Sequence, residues 1–261
     1  MASEVSDPMS HQAALFDYLL SLADDRLVLG HRLSEWCGHG PILEEDIALT
    51  NVSLDLIGAA NLCYGLAGKV EGKGRDADAL AYFREAVEFR SHPLVELLRG
   101  DYAFTMVRQF LFDVYNWQLL GALRQSRETR LGDIAAKAWK EAAYHLRHSS
   151  EWVVRFGDGT EESHRRAQAA LDEAWRWTGA LHQPTVSEAA LIAAKVVPDS
   201  AALRTDWDRL VREVLDRATL KVPEEAPPAG RGYRRGDHTE HLGHLLSEMQ
   251  SVARAHPGAS W

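Results

Sequence analysis

Residues 10–37, SHQAALFDYLLSLADDRLVLGHRLSEWC, decide the fold class. Leu15, Leu19, Leu22, Leu29, Leu33 and Trp36 fall at intervals of three, four or seven, the spacing that stacks side chains on one face of a helix. Ser10 is an N-cap residue type at the head of this run, and Gly38, Gly40 and Pro41 stop it just after Cys37. The same period recurs almost everywhere, and no alternating apolar and polar stretch with a hairpin turn appears, so an all-α fold is expected.

Working outward, a second helix is expected from Glu44 to about Ala67. Gly68 to Asp78, with Gly68, Gly72 and Gly74 among charges, reads as the start of a long connection. It continues through a short helical pattern, Ala79 to Arg90, and a break at His92-Pro93. A third long helix follows from about Asp101 to Gln125, and a fourth from about Glu128 to Phe156, closed by Gly157 to Gly159. Two short connections flanking a long one are what a ferritin-like four-helix bundle requires, because helices two and three must cross the bundle's length before pairing. Additional C-terminal helices are expected at Glu161 to Leu181, capped by Thr160, at Ser187 to Val196, at Ala201 to Leu220, and at about Thr239 to Ala255. The last is preceded by a loop rich in Pro, Gly and Arg, Lys221 to Gly236. The whole is expected to form one domain over 1–261, with the core bundle at about 10–156 and a helical extension at about 160–256.

The bulk properties narrow the function. The formal net charge of -9 argues against wholesale nucleic-acid binding, which needs a concentrated positive field. The two cysteines, Cys37 and Cys63, have no CxxC or metal-like spacing, which points to a reducing cytoplasm rather than a disulfide framework. No basic start with an apolar core marks an export signal, and no uninterrupted apolar run is long enough to span a bilayer. The chain has eight tryptophans, and Trp36, Trp117, Trp139, Trp152, Trp175 and Trp177 are among those on expected helices. They serve first as core fillers and second as candidate anchors for a stable partner.

Ferritin-like di-iron proteins take a lone carboxylate from each of two helices and a Glu-x-x-His pair from each of the others. The corresponding search here gives Glu35, Asp55, Asp113, and Glu141 with His145. Both pairs are broken: Gly58 stands three residues after Asp55, and Ala142 stands three before His145. The residues that remain read as a degenerate site, a buried polar network without metal, because too few ligands are left to hold two ions against hydration. Glu141 and His148 flank His145 at distances of four and three, so spacing alone leaves a distorted site open. A second cluster, His238, Glu240, His241 and His244, reads as capping and interface packing rather than zinc, with Thr239 or Asp237 as cap. Arg231, Arg234 and Arg235, in a glycine-rich loop on an acidic chain, suit either a solvated turn or contact with an acidic partner or a CoA phosphate.

Four segments carry a resemblance over about Asp24 to Trp261. They are LVLGHRLSEWCGH (27–39), ALTNVSLDLIG (48–58), KEAAYHLRHS (140–149) and GDHTEHLG (236–243), with the terminal PGASW (257–261) in addition. Together they resemble the PaaC subunits of ring-1,2-phenylacetyl-CoA epoxidases, the multicomponent monooxygenases of aerobic phenylacetate degradation. The resemblance implies a structural subunit without turnover of its own. Its partner would be a PaaA-type catalytic subunit that carries the di-iron centre, with a reductase supplying electrons, and no cofactor is implied in this chain. In the catalytic subunit's pattern, Glu35, Asp55, Asp113 and His145 occupy ligand-type positions, while Gly58 and Ala142 replace ligands. The alternative is a di-iron oxygenase or ferritin-like iron protein in its own right. Self-association of the isolated chain stays open.

Overall fold

The computed structural model describes residues 10–185, 187–224, 234 and 236–259. Among them are eleven α-helices and no strand. Four long helices make the bundle: α1 (His11–Ser34), α2 (Leu43–Glu71), α5 (Tyr102–Leu123) and α6 (Thr129–Gly157). Between the second and third lie the short α3 (Ala77–Tyr82) and α4 (Pro93–Glu96). This is the expected ferritin-like arrangement, with α1 packed most extensively on α2, and α5 on α6. The extension comprises α7 (Glu161–Trp175), α8 (Glu188–Ala193), α9 (Arg204–Arg217), α10 (Glu240–Met249) and α11 (Ser251–Ala255).

The caps follow local chemistry. Ser10 Oγ accepts from Ala13 N at 3.2 Å, Asp101 Oδ1 from Phe104 N at 2.8 Å, and Thr160 Oγ1 from Ser163 N at 3.2 Å, each satisfying a free N–H of a first turn. α2 runs past the expected end at Ala67 and through Gly68. A Cβ at Gly68 would lie 2.1 Å from the Arg75 carbonyl oxygen, so the glycine is where the returning chain crosses the helix rather than where the helix stops. Gly72, left-handed at φ 73°, is the stop.

α1 and α5 are the interior helices. Residues 18–30 of α1 are buried without interruption, and so are residues 105–116 of α5. The extension wraps this core: Trp207 of α9 is fully buried and donates from its indole N–H to the Leu111 carbonyl at 3.1 Å. The tryptophans named above pack in or against the core, and the exposed large apolar residues lie elsewhere, on α2 above all. By length and mean composition α2 is apolar enough to cross a bilayer, as the core helix of a bundle also can be. Thr50, Asn51, Ser53, Asp55 and Asn61 interrupt its apolar residues, so the expectation of no uninterrupted apolar run of spanning length holds for it.

Candidate functional site

α2 and α6 bring three of the expected residues together. Asp55, Gly58 and Glu141 line an outward-opening groove between these helices, with Leu54, Leu62 and Lys137 among its walls and a cavity of about 100 Å3. His145 is buried at its edge, with Nε2 3.0 Å from Asp55 Oδ2 and with Nδ1 unpartnered. Burial pushes the Glu141 carboxyl up, and the neighbouring Asp55 charge adds to the push.

Asp113 lies deeper, fully buried on α5. Its Oδ1 accepts from Gln109 Nε2 at 2.7 Å and its Oδ2 from Ser149 Oγ at 2.8 Å, so protein donors engage both oxygens. Burial pushes its carboxyl up to about 6, against the opposing pull of His145 and of these two hydrogen bonds. Glu35 is elsewhere, at the C-terminal end of α1, where its carboxylate pairs with Arg32 Nη1 at 2.7 Å. The expectation that Glu35, Asp55, Asp113, Glu141 and His145 form one buried polar network is therefore corrected, since the Glu35 and Asp55 side chains are both more than a third exposed and Glu35 lies apart. The buried face of α2 runs through Val52, Ser53, Leu56 and Ala59, which turns Asp55 and Gly58 onto its flank. Gly58 is exposed, and a Cβ added there meets nothing within 4 Å. A longer side chain at that position would enter the groove, not the bundle interior. Ala142, by contrast, is buried. Among the described residues no three His, Cys, Asp or Glu side chains converge as a metal-holding set.

Sequence reasoning missed a second polar knot at one end of the bundle. Glu45 Oε2 accepts from Tyr102 Oη at 2.7 Å, and His148 Nε2 lies 2.8 Å from the same oxygen. Tyr102 sits edge-on to Trp36, Trp152 and Phe156, and burial followed by the Glu45 hydrogen bond pushes its phenol well up. By position alone Glu45 is an ordinary first-turn acid complementing the helix dipole, which gives no hint of this role.

The largest group that the sequence concealed lies inside α1. Asp24 accepts from Tyr64 Oη, Arg84 and the Arg90 N–H. Asp25 accepts from the His92 N–H at 2.6 Å and from Arg234 Nη2 at 2.8 Å, and Arg26 donates to Asn116 Oδ1 at 2.6 Å. Arg234 is thus corrected from a solvent-facing contact to a buried partner of Asp25. The compensating carboxylate explains how a guanidinium can sit there. Arg231 and Arg235 lie outside the described residues.

Next to this pair, fully buried Glu96 accepts from Ser91 Oγ (2.9 Å) and His238 Nδ1 (2.6 Å) on one oxygen. On the other it accepts from Thr239 N (2.7 Å) and Thr239 Oγ1 (2.9 Å). The start of α10 is therefore held by Glu96 rather than by a cap from Thr239 or Asp237. His238 faces inward. The half-buried His241 offers its carbonyl to Arg32 Nη2 at 2.9 Å. These residues fasten the C-terminal segment to the bundle.

The whole chain, residues 1–261, matches the family designated PaaA_PaaC, phenylacetic acid catabolic protein. The chain is also 42% identical over 244 residues to the C subunit of the 1,2-phenylacetyl-CoA epoxidase of Escherichia coli (strain K12), covering 94% of this chain and 98% of that protein. With a match along its entire length and a near-complete relative at that identity, the chain belongs to the phenylacetic acid catabolic protein family.

Proposed function

We propose that this chain is the C-type subunit of a phenylacetyl-CoA 1,2-epoxidase in aerobic phenylacetate catabolism, and that it is a structural component that stabilises a PaaA-type catalytic subunit. The di-iron centre then belongs to the partner, and a reductase completes the cytoplasmic complex. The observation that carries this reading is the state of the donors. Both Asp113 oxygens are engaged by Gln109 and Ser149, Glu35 is committed to Arg32, and Gly58 and Ala142 offer no ligand atom. Such a set does not fit a pair of irons, each of which needs several deprotonated ligands converging on it. The near-complete match to a relative named as a subunit of the epoxidase supports the assignment to a multi-subunit enzyme.

The test is co-expression with a PaaA-type subunit, followed by purification and metal counting on the complex and on each chain alone. The expected result is a stable complex whose iron travels with the partner, and a lone C-type chain with neither stoichiometric iron nor turnover. Stoichiometric iron on the lone chain that disappears in His145→Ala would instead establish an iron enzyme in its own right.

A further inference from the structure

α2 has an outer face unlike that of any other long helix here. Between Asp46 and Lys69 the only charged residue is Asp55. Ile47, Leu54 and Leu62 are exposed along the helix, Leu54 at 62%, and Leu43 at its start is exposed at 72%. On α6, across the groove, Tyr144 is exposed as well. From Leu43 to Leu62 the face is about 28 Å long at a helical rise of about 1.5 Å per residue. Helices α7 and α9 show the ordinary solvent face, with Glu162 paired to Arg165 and Arg166, and Arg209 paired to Asp206 and Glu213. An apolar face of this length, with Asp55 as its one charge from Ile47 to Leu62, marks an interaction surface.

The charge within the stripe selects the occupant. Asp55 and Glu141 line the same groove, close enough for the Asp55 charge to add to the burial that pushes the Glu141 carboxyl up. Among the described residues Lys137 is the one cation that lines it, and His145 is already paired with Asp55. An apolar face carrying a lysine or arginine would bury the leucines and neutralise the surplus acid together. A second copy of this chain, docked through the same face, would instead bring two acidic grooves and two bodies of net charge -9 against each other. An anionic lipid surface meets the same repulsion. We infer that the α2 face, from Ile47 to Leu62 with the Asp55–Glu141 groove beside it, is the docking surface for the PaaA-type subunit. That subunit would meet it with an apolar helical face bearing at least one basic side chain. The inference rests on the proposed function for the existence of that partner, and it adds where the partner sits.

The experiment measures the affinity of the full-length chain for a purified PaaA-type subunit, for the wild type and for Leu54→Lys, Leu62→Lys, Glu141→Lys and Val252→Lys. Val252 is exposed on α11, far from α2 in sequence, and serves as control. Because Leu54 and Leu62 are surface residues, circular dichroism and thermal melting are expected to match the wild type. The expected result is a loss of about 30-fold or more for each leucine variant, the size of an interface hot spot, with Val252→Lys unchanged. Glu141→Lys is expected to weaken binding by a smaller factor.

Wild-type binding that all three groove variants retain would overturn the surface while leaving the proposed function standing. No wild-type binding at all would overturn the proposed function itself. Dimerisation of the lone chain that Leu54→Lys abolishes, with partner binding intact, would assign the face to a second copy. Sedimentation of the wild type with phosphatidylglycerol vesicles, lost in Leu54→Lys, would assign it to a membrane.

Discussion

The interior of α1 and the groove between α2 and α6 both hold carboxylates in apolar surroundings, and they treat the charge in opposite ways. In α1, Asp24 and Asp25 are fully buried, and each receives a guanidinium together with a backbone N–H. In the groove, Asp55 is more than a third exposed, and no arginine among the described residues pairs with Glu141. Burial without pairing is unaffordable for an ionised carboxylate, so the first cluster had to be completed from within the chain. The second stays partly in water and can be completed from outside. The contrast separates side chains that hold this fold together from side chains that leave a face free for another protein.

The largest effect should come from breaking the closed cluster. Arg84→Met removes the guanidinium that faces Asp24 and leaves a buried charge with too few donors, at a cost of about 3–5 kcal/mol in urea unfolding. Arg234→Ala should do the same to Asp25. A loss under about 1 kcal/mol in both would mean that these pairs are no more structural than surface ones, and the comparison would fall. Glu96→Gln comes next. The amide cannot accept all four donors from Ser91, His238 and Thr239, so about 3 kcal/mol should be lost. The start of α10 should also become the first site of limited proteolysis.

Much of this architecture could be read from the chain, and the misses share a cause. The four long helices show themselves because a helix period survives any mixture of buried and half-buried positions. The bonding of Asp24, Asp25 and Arg26 was invisible, because a run of charges in mid-helix reads as a solvent face. Their partners Arg84, Arg234 and Asn116 are brought close only by the tertiary fold. The candidate site was half legible for the same reason. Spacing picked out Asp55 and His145, which do meet, but it could not show that α2 turns Gly58 outward or that Arg32 captures Glu35. Glu45 with His148 was missed because the pair joins two helices whose register no local pattern fixes.

Asp113 stands between the two regimes, buried like Asp25 but without a cation hydrogen-bonded to it. Its carboxyl is pushed up to about 6, so the folded protein holds this proton more tightly than the unfolded chain does. Stability therefore falls as pH rises from the ordinary carboxylate range through about 6, and the loss is complete above that. Asp113→Asn removes the titration while still accepting from Ser149. It should raise stability by on the order of 2 kcal/mol at about pH 7 and leave it nearly unchanged at about pH 4. Urea unfolding at both values checks this, and an equal effect at the two would show that Asp113 does not titrate in this window.

The smallest effect should come from Asp55→Asn. Water reaches Asp55, so losing its charge strands nothing, and an amide oxygen can still accept from His145 Nε2 at the same place. The expected change is under about 1 kcal/mol, because a half-exposed carboxylate hydrogen-bonded to an imidazole gains little over its hydrated parts. In a chain of this size that corresponds to a Tm shift of less than about 4 °C. A shift as large as that of Arg84→Met would place Asp55 among the side chains that hold the bundle together. The open groove would then be part of the fold's own bonding, and the acid in it would no longer be available to a basic residue of another chain.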